Sequence, residues 1–474
     1  MTKKINDGLT YEELKLPNYV NSSPAVTLRT LAGDGEKTIY LSLTDVIFAA
    51  EIAGLNMLLI SDTGRGKTQL LSDIANRHFG GTADEGGANI TRGRSEFEIK
   101  NLLEHTTVDL ANGKYDSKAM TKVDVGRTGR LLFGVDEINR APKPRQNDFF
   151  DFAEGSYNFE GQDIALGREG YALFIATANL NRSNGDFSGT FELDRALLNR
   201  AHLTIDLDHK GFRPTHEDMV RLEQRKVHPR RDTAEKQDLS AKILNEYKQL
   251  KQSAGQLDPY MLAFRFLITE GLSYCARDRE NDKYGVFPML CNECEHTTPE
   301  KGKGTKEQKP KEPICSMIKD STERTVSAVK LLAHAFSRIA QLKTGEDIKI
   351  SPLDAALQAF KFTTYHGNLN DIVANQEYAG RKQVMMSVLV EKLTAAVELL
   401  KEYIPLIKDG KAPALVSFTD DGEIISAPPM PELVEGLKEK GIAYTERNLK
   451  TDLAALGLGS DWVDAYVGFV KDGK

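Results

Sequence analysis

Cysteine is scarce in this chain: four residues among 474, all between positions 275 and 315. With no apolar signal core behind the opening Met1-Thr2-Lys3-Lys4-Ile5-Asn6-Asp7, this argues against a disulfide-stapled secreted protein and makes a cytoplasmic one the default expectation. Long hydrophobic runs are missing too. None approaches the roughly 20 residues of a membrane-spanning helix. Neither sign of charge dominates: 62 lysines and arginines face 69 aspartates and glutamates, a net charge of -7. The molecule as a whole therefore lacks the basic footprint of a nucleic-acid binder. Repeats of solenoid type are absent.

What is present is enough chain for about two to four domains. Residues 1–30 are polar and mixed, and read as an N-terminal arm. From about 38 to 207, short apolar runs alternate with helical patterns. Met57–Ile60, Leu131–Val135, Leu173–Ala176 and Leu203–Leu207 are the candidate strands. Helices between them predict an α/β core with a largely parallel sheet over residues 31–212. Thr107–Val125 and Tyr157–Leu166 instead alternate polar and apolar residues. Each predicts a β-hairpin inserted into that core, the second turning at Gly161. Residues 213–372 read as helical, with helices predicted at Asp218–Lys226, Leu239–Gln252, Tyr260–Glu270, Thr325–Leu342 and Ser351–Thr364. Within them Lys301–Lys311, rich in Lys, Gly and Pro, reads as a loop. Residues 373–474 hold a further predicted helix, Gln383–Ile404, and a small appended module with prolines at 428, 429 and 431.

The most informative stretch is Ser61-Asp62-Thr63-Gly64-Arg65-Gly66-Lys67-Thr68. It follows the apolar Met57-Leu58-Leu59-Ile60 and precedes the helical Gln69-Leu70-Leu71-Ser72-Asp73-Ile74-Ala75. Strand, glycine-bearing loop and helix start is the layout of a nucleotide phosphate site. Backbone N–H groups over Asp62, Thr63, Gly64, Arg65, Gly66, Lys67, Thr68 and Gln69 can point at phosphate oxygens, helped by the positive helix end. Lys67 would neutralise β- and γ-phosphate charge, and the Thr68 hydroxyl would ligate Mg²⁺. Ser61 stands where the usual G-x-x-x-x-G-K-[ST] pattern has its first Gly. Backbone strain and weakened nucleotide affinity are expected there.

A nucleotide hydrolase also needs a carboxylate for Mg²⁺ and a group to orient water. Leu131-Leu132-Phe133-Gly134-Val135-Asp136-Glu137 supplies both at a strand end: Asp136 for the metal and Glu137 as general base. An acidic pair there can also cap a helix. Asn179, just beyond Phe174-Ile175-Ala176-Thr177-Ala178, can bond a γ-phosphate or the lytic water. Arg200, after Ala196-Leu197-Leu198-Asn199, can form a surface ion pair or reach a neighbouring subunit's nucleotide as an arginine finger. Thr121-Lys122-Val123-Asp124 looks like a guanine-reading element. It precedes Asp136 and falls in a predicted hairpin, which favours ATP over GTP.

The order phosphate loop, Asp-Glu, Asn, Arg, with Asp136-Glu137-Ile138-Asn139-Arg140-Ala141-Pro142, resembles AAA+ ATPases of the MoxR type over about residues 38–370. The two hairpins resemble those of the clade holding MoxR proteins, magnesium chelatases and MCM helicases. The resemblance implies a P-loop AAA+ core with a helical lid, assembled as a ring, commonly a hexamer, with ATP and Mg²⁺ between subunits. It implies that Asn179 is the sensor-1 residue and Arg200 the arginine finger, with Arg195 as a second candidate. In Thr322-Glu323-Arg324, Arg324 takes the place of the sensor-2 arginine, where the family usually reads Ser-Pro-Arg. It further implies ATP-driven remodelling or chaperone-like maturation of a client protein, often alongside a von Willebrand A domain protein. Two other readings use the same residues. A nucleic-acid translocase of MCM type needs basic hairpin tips. Lys114, Lys118 and Lys122 supply them in the first hairpin, while Glu160 and Asp163 oppose them in the second. A nucleotide-gated assembly scaffold would not hydrolyse ATP, and the intact Glu137 stands against it.

The cysteines form one further constellation. Cys291-Asn292-Glu293-Cys294 is a C-x₂-C knuckle, spaced for two thiolates on one tetrahedral metal. Cys275 and Cys315 complete a Cys₄ set, with His296 as alternate ligand. The expected ion is structural zinc, stapling an insertion at 272–316 that is poor in core-forming residues. An iron–sulfur cluster is the alternative use of the same ligands.

Overall fold

The computed structural model describes residues 8–19, 21–31, 37–83, 85–94, 98, 100–108, 119–179, 190–224, 236–255, 258–272, 314–318, 321–365, 368–408, 416–418 and 424–426. They fall into two compact units. One holds residues 1–255, 331–350 and 365–367; the other holds 256–330, 351–364 and 368–474.

The first unit contains β1 (Pro24–Arg29), β2 (Thr38–Ser42), β3 (Met57–Ser61), β4 (Ala88–Arg92), β5 (Glu104–Val108), β6 (Ala119–Val123), β7 (Leu132–Asp136), β8 (Ser156–Phe159), β9 (Gln162–Ala165), β10 (Leu173–Asn179) and β11 (Leu203–Asp206). Five of them make a parallel sheet in the order β11-β3-β10-β7-β4. Every residue of β3, β7, β10 and β11 is buried. A parallel strand covered on both faces must be apolar nearly throughout, the pattern that the four candidate strands show. The fifth, β4, is an edge strand whose Thr91 and Arg92 are partly or fully exposed, and its sequence carries no such run.

The chain's path places the site. From β3 it goes to the far edge at β4, fills inward through β7 and β10, then crosses past β3 to β11. Travel reverses around β3. Outside the carboxyl ends of strands at such a switch point, α/β sheets bind their ligands. The helix that follows β3, Lys67–His78, buries Leu70, Leu71, Ile74 and Ala75 at helical spacing. The helix Leu43–Ile52 begins with a reciprocal cap between Ser42 and Asp45. It is buried on nearly all sides and so has no amphipathic period to read.

Both expected hairpins form, β5 against β6 and β8 against β9. The second turns through Glu160 and Gly161, both at positive φ, as a two-residue type I′ turn requires. Glu160 and Asp163 are exposed there, and so is Lys122 in the first hairpin. Lys114 and Lys118 lie outside the described residues. Asp124, which ends the guanine-reader look-alike, accepts the Arg127 N–H and caps the helix Val125–Thr128.

Three expected divisions of the chain differ from the structure. The stretch read as an arm, 1–30, contains β1, which pairs antiparallel with β2 and carries Val26 and Leu28 into the core. Its four polar or small residues hide the strand. The expected boundaries after 212 and 372 do not coincide with unit boundaries. The helix Ser240–Gly255 belongs to the first unit, and helices on both sides of 372 belong to the second.

The second unit is helical, built from Pro259–Phe266, Ile314–Met317, Pro352–Thr363, Asp371–Tyr378, Lys382–Lys408 and the start of Glu323–Thr344. Phe264 packs edge-on to Phe360 at 5.9 Å, and Lys401 Nζ reaches Asp354 at 2.7 Å. Val416–Phe418 and Ile424–Ser426 pair antiparallel. Cys275, Cys291, Cys294 and His296 lie outside the described residues. Cys315 lies in the helix Ile314–Met317. Among the described residues, no His, Cys, Asp or Glu cluster suited to a metal is present, and no helix is long and apolar enough to cross a membrane.

Candidate active site

Between the end of β3 and Lys67 the chain turns through Asp62–Gly66. Gly64 and Gly66 take left-handed angles, φ 81° and 79°. At Gly66 a side chain would be strained by that angle, and the Tyr19 ring stands 3.5 Å from where its Cβ would be. Gly66 opens the helix Lys67–His78 with no side-chain cap. The N–H groups of the first turn therefore have no capping acceptor, and the helix dipole adds partial positive charge at that point.

Ser61 departs from expectation. It is the last residue of β3, fully buried, and its φ is not positive. The backbone there asks for nothing that only glycine supplies. Its hydroxyl accepts a hydrogen bond from Lys67 Nζ at 2.6 Å, and Lys67 Nζ also donates to the carbonyls of Ser61 at 3.0 Å and Asp62 at 2.9 Å. Burial pulls the Lys67 pKa below its ordinary value, opposed by the charges of Asp208, Asp136, Asp62 and Glu137. Asp208, just past β11, holds the loop from outside. One oxygen accepts the Asp62 N–H at 2.6 Å and the other accepts Arg65 Nε at 2.9 Å.

β7 delivers the acid pair. Thr68 Oγ1 donates to Asp136, 3.0 Å from each carboxylate oxygen. Thr177 on β10 ties the pair together: its hydroxyl donates to Asp136 Oδ1 at 2.7 Å and accepts the Glu137 N–H at 2.8 Å. Asn179, at the end of β10, is fixed through its backbone by Asn139. The Asn139 amide donates to Asn179 O at 2.7 Å and accepts Asn179 N–H at 3.3 Å. Arg92, at the carboxyl end of β4, brings Nε to 3.9 Å from Asp136 Oδ2.

Residues 63–69, Asp136, Glu137 and Asn179 line one cavity of about 580 Å³; Asp62 does not. Arg92 joins them, as do Pro17, Asn18 and Asp73. The Asn18 N–H is bonded to Asp73 Oδ2 at 3.0 Å, and burial lifts the Asp73 pKa. Arg92, Thr177 and Asp208 carry no signal in the sequence pattern. Only the paired strands bring them to this end of the sheet.

Arg200 does not line the cavity. Its guanidinium forks onto Glu154, with Nε 2.6 Å from Oε1 and Nη2 on the same oxygen, while Nη1 donates to Ala196 O at 2.9 Å. The group also stacks 4.6 Å over the Phe150 ring. Buried Asn56 secures the backbone here, donating to Ala153 O at 2.6 Å and Arg200 O at 3.2 Å, and accepting Phe174 N–H at 3.1 Å. Arg195 is exposed at the start of the helix Arg195–Leu198. Arg324 lies in the first turn of Glu323–Thr344, in the second unit.

No protein-family model matches the chain, and no curated protein matches it. A solved structure of a candidate ATPase from Cytophaga hutchinsonii is similar to it at 13% identity, covering 73% of this chain and 88% of its own, with a TM-score of 0.48. A likeness at that level says nothing of activity, so function must rest on the side chains around the cavity.

Proposed function

We propose that this chain is an ATPase of the AAA+ MoxR type, hydrolysing ATP at the interfaces of a ring. One observation carries the reading. Lys67 and Thr68, at an uncapped helix start, share a cavity with Asp136 and Glu137, and Thr68 is already bonded to Asp136. The donor set fits Mg²⁺, which takes hydroxyl, carboxylate, water and phosphate oxygens. Thr68 and Asp136 would hold it, directly or through water. When bound, the metal would offset the negative charge of the phosphates.

Lys67 would exchange its bonds to Ser61 and Asp62 for phosphate oxygens, at no loss of hydrogen-bond count. The N–H groups of residues 63–68 would cradle the same phosphates. Glu137 takes a proton from the attacking water. The water oxygen bonds to the γ-phosphorus, and the bond to the β–γ bridging oxygen breaks, releasing ADP. Asn179 helps to place the water. Arg200 of an adjacent subunit supplies positive charge to the transition state, a role worth about 10³–10⁵ in rate. Arg195 is the alternate finger, and Arg324 the sensor-2 group.

Hydrolysis would drive remodelling or chaperone-like maturation of a client protein, with the two hairpins facing the ring axis. The exposed acids of the β8–β9 hairpin favour a protein client over nucleic acid. On the C-x₂-C spacing we further propose structural zinc on Cys275, Cys291, Cys294 and Cys315.

Two variants test the reading. Lys67→Ala should lose ATP binding. Glu137→Gln should bind ATP and stall, since a positioned base is worth about 10²–10⁴ in rate. Near-normal turnover by Glu137→Gln would remove Glu137 from the mechanism. The stalled variant is also the bait for capturing the client.

A further inference from the structure

Glu137 adopts a backbone conformation that costs a non-glycine residue energy, φ 55° and ψ 47°. Such residues persist only where their surroundings fix them, and they cluster at functional sites. Three contacts fix this one. Thr177 Oγ1 accepts the Glu137 N–H at 2.8 Å. The Glu137 carbonyl accepts Arg140 N–H at 2.9 Å. Gly93 lies so close to that carbonyl that a Cβ on residue 93 would stand 2.2 Å from its oxygen. Gly93 N–H in turn donates to Asp136 O at 2.8 Å.

These contacts set the direction in which the Glu137 side chain leaves the chain. They leave its own bonds free to rotate. Arg140 removes that freedom: its Nη2 lies 3.1 Å from Glu137 Oε1. Arg140 is half exposed and does not line the cavity. A solvent-accessible pair three residues apart adds little to stability, so stability does not account for it. The contact instead holds the one carboxylate whose aim matters.

We infer that Arg140 is a positioning residue for Glu137, fixing the rotamer from which the carboxylate meets the attacking water. It acts on hydrolysis through Glu137 alone. The inference rests on the reading of Glu137 as general base.

The test uses the full chain with Mg²⁺ and ATP. Arg140→Ala should lower kcat on the order of ten- to a hundredfold, the scale of a misplaced catalytic group, and leave KM and ATP affinity within about twofold. Arg140→Lys should recover part of the loss. The decisive measurement is the double variant. In a Glu137→Gln background, Arg140→Ala should cost nothing further, because the group it positions is already gone. The inference is overturned if the loss is equal in both backgrounds, if kcat is unchanged or raised, or if ATP binding or particle size by light scattering changes instead. Failure of the underlying reading looks different. There, Glu137→Gln turns over ATP as fast as the unaltered chain, and the inference falls with it.

Discussion

Thr177→Val is the substitution that most directly tests the architecture of the site. The hydroxyl is fully buried, donates to Asp136 Oδ1 at 2.7 Å and accepts Glu137 N–H at 2.8 Å. Valine keeps the branched shape and loses both bonds. A hydrogen bond to a charged group contributes about 1.5–3 kcal/mol, and an orphaned N–H costs about 1–3 kcal/mol. The added methyl offsets about 0.8 kcal/mol. The net loss is about 2–5 kcal/mol, from a total stability of about 5–15 kcal/mol for a domain. With a urea slope of about 1–3 kcal/mol per molar, the midpoint should fall by about 1 M or more. Urea titration followed by circular dichroism measures that fall. At low urea, where the variant is folded, kcat should drop at least about tenfold, because Glu137 is freed from its fixed backbone. Thr177→Ser should restore both. A midpoint shift under about 0.3 M with unchanged kcat would refute the argument that this hydroxyl couples the two acids.

Other outcomes follow from other residues. Burial, with Glu154, Asp148 and Asp163 adding to it, pushes the Asp151 carboxyl up to about 6. A raised acid contributes its full stability below its unfolded pKa near 3.8 and loses it as pH climbs through about 6. Asp151→Asn should therefore add about 1–2 kcal/mol of stability at pH 8, after allowing for solvent screening of a half-buried group, read as a higher melting temperature, and leave the melting temperature unchanged at pH 4; a gain of equal size at both would contradict this. Arg200→Ala assemblies should bind ATP and hydrolyse it slowly, and mixing them with Glu137→Gln subunits should restore some turnover; verified mixed assemblies with none would argue against action across the interface. Protein purified without added metal should carry about one zinc per chain, and less than about 0.2 by elemental analysis would reject the Cys₄ assignment.

What could be read from sequence follows from how local each constraint is. β3, β7, β10 and β11 are legible because burial on both faces makes them apolar nearly throughout. β4 is not, since its exposed end is polar, and Arg92 goes unseen with it. The helix Leu43–Ile52 is missed for the opposite reason: it is apolar on too many sides to show a period. Residues 63–69, Asp136, Glu137 and Asn179 stand out in the sequence because a phosphate-site pattern specifies residue types within a short segment, and in the structure they line one cavity. Asp208, Thr177 and Asn56 work through partners far away in the chain, Asp62, Asp136 and Arg200 among them. No local spacing encodes such pairs. Ser61 shows the converse error. A motif position was expected to demand glycine, yet in this chain it is the ordinary end of a strand.

The strand order also governs how the molecule is made. β3 carries the phosphate loop, but its two neighbours in the sheet are β10, starting at residue 173, and β11, starting at 203. During synthesis, at about 5–20 residues per second, Met57–Ser61 is exposed for several seconds before either partner exists. An apolar strand with two open edges is a template for aggregation. The pairings that close it are long-range and correspondingly slow. The loop that follows β3 is thus translated early and seated late. A chain interrupted anywhere between these strands would contain the whole phosphate motif, no sheet to hold it, and a sticky segment for other chains to find.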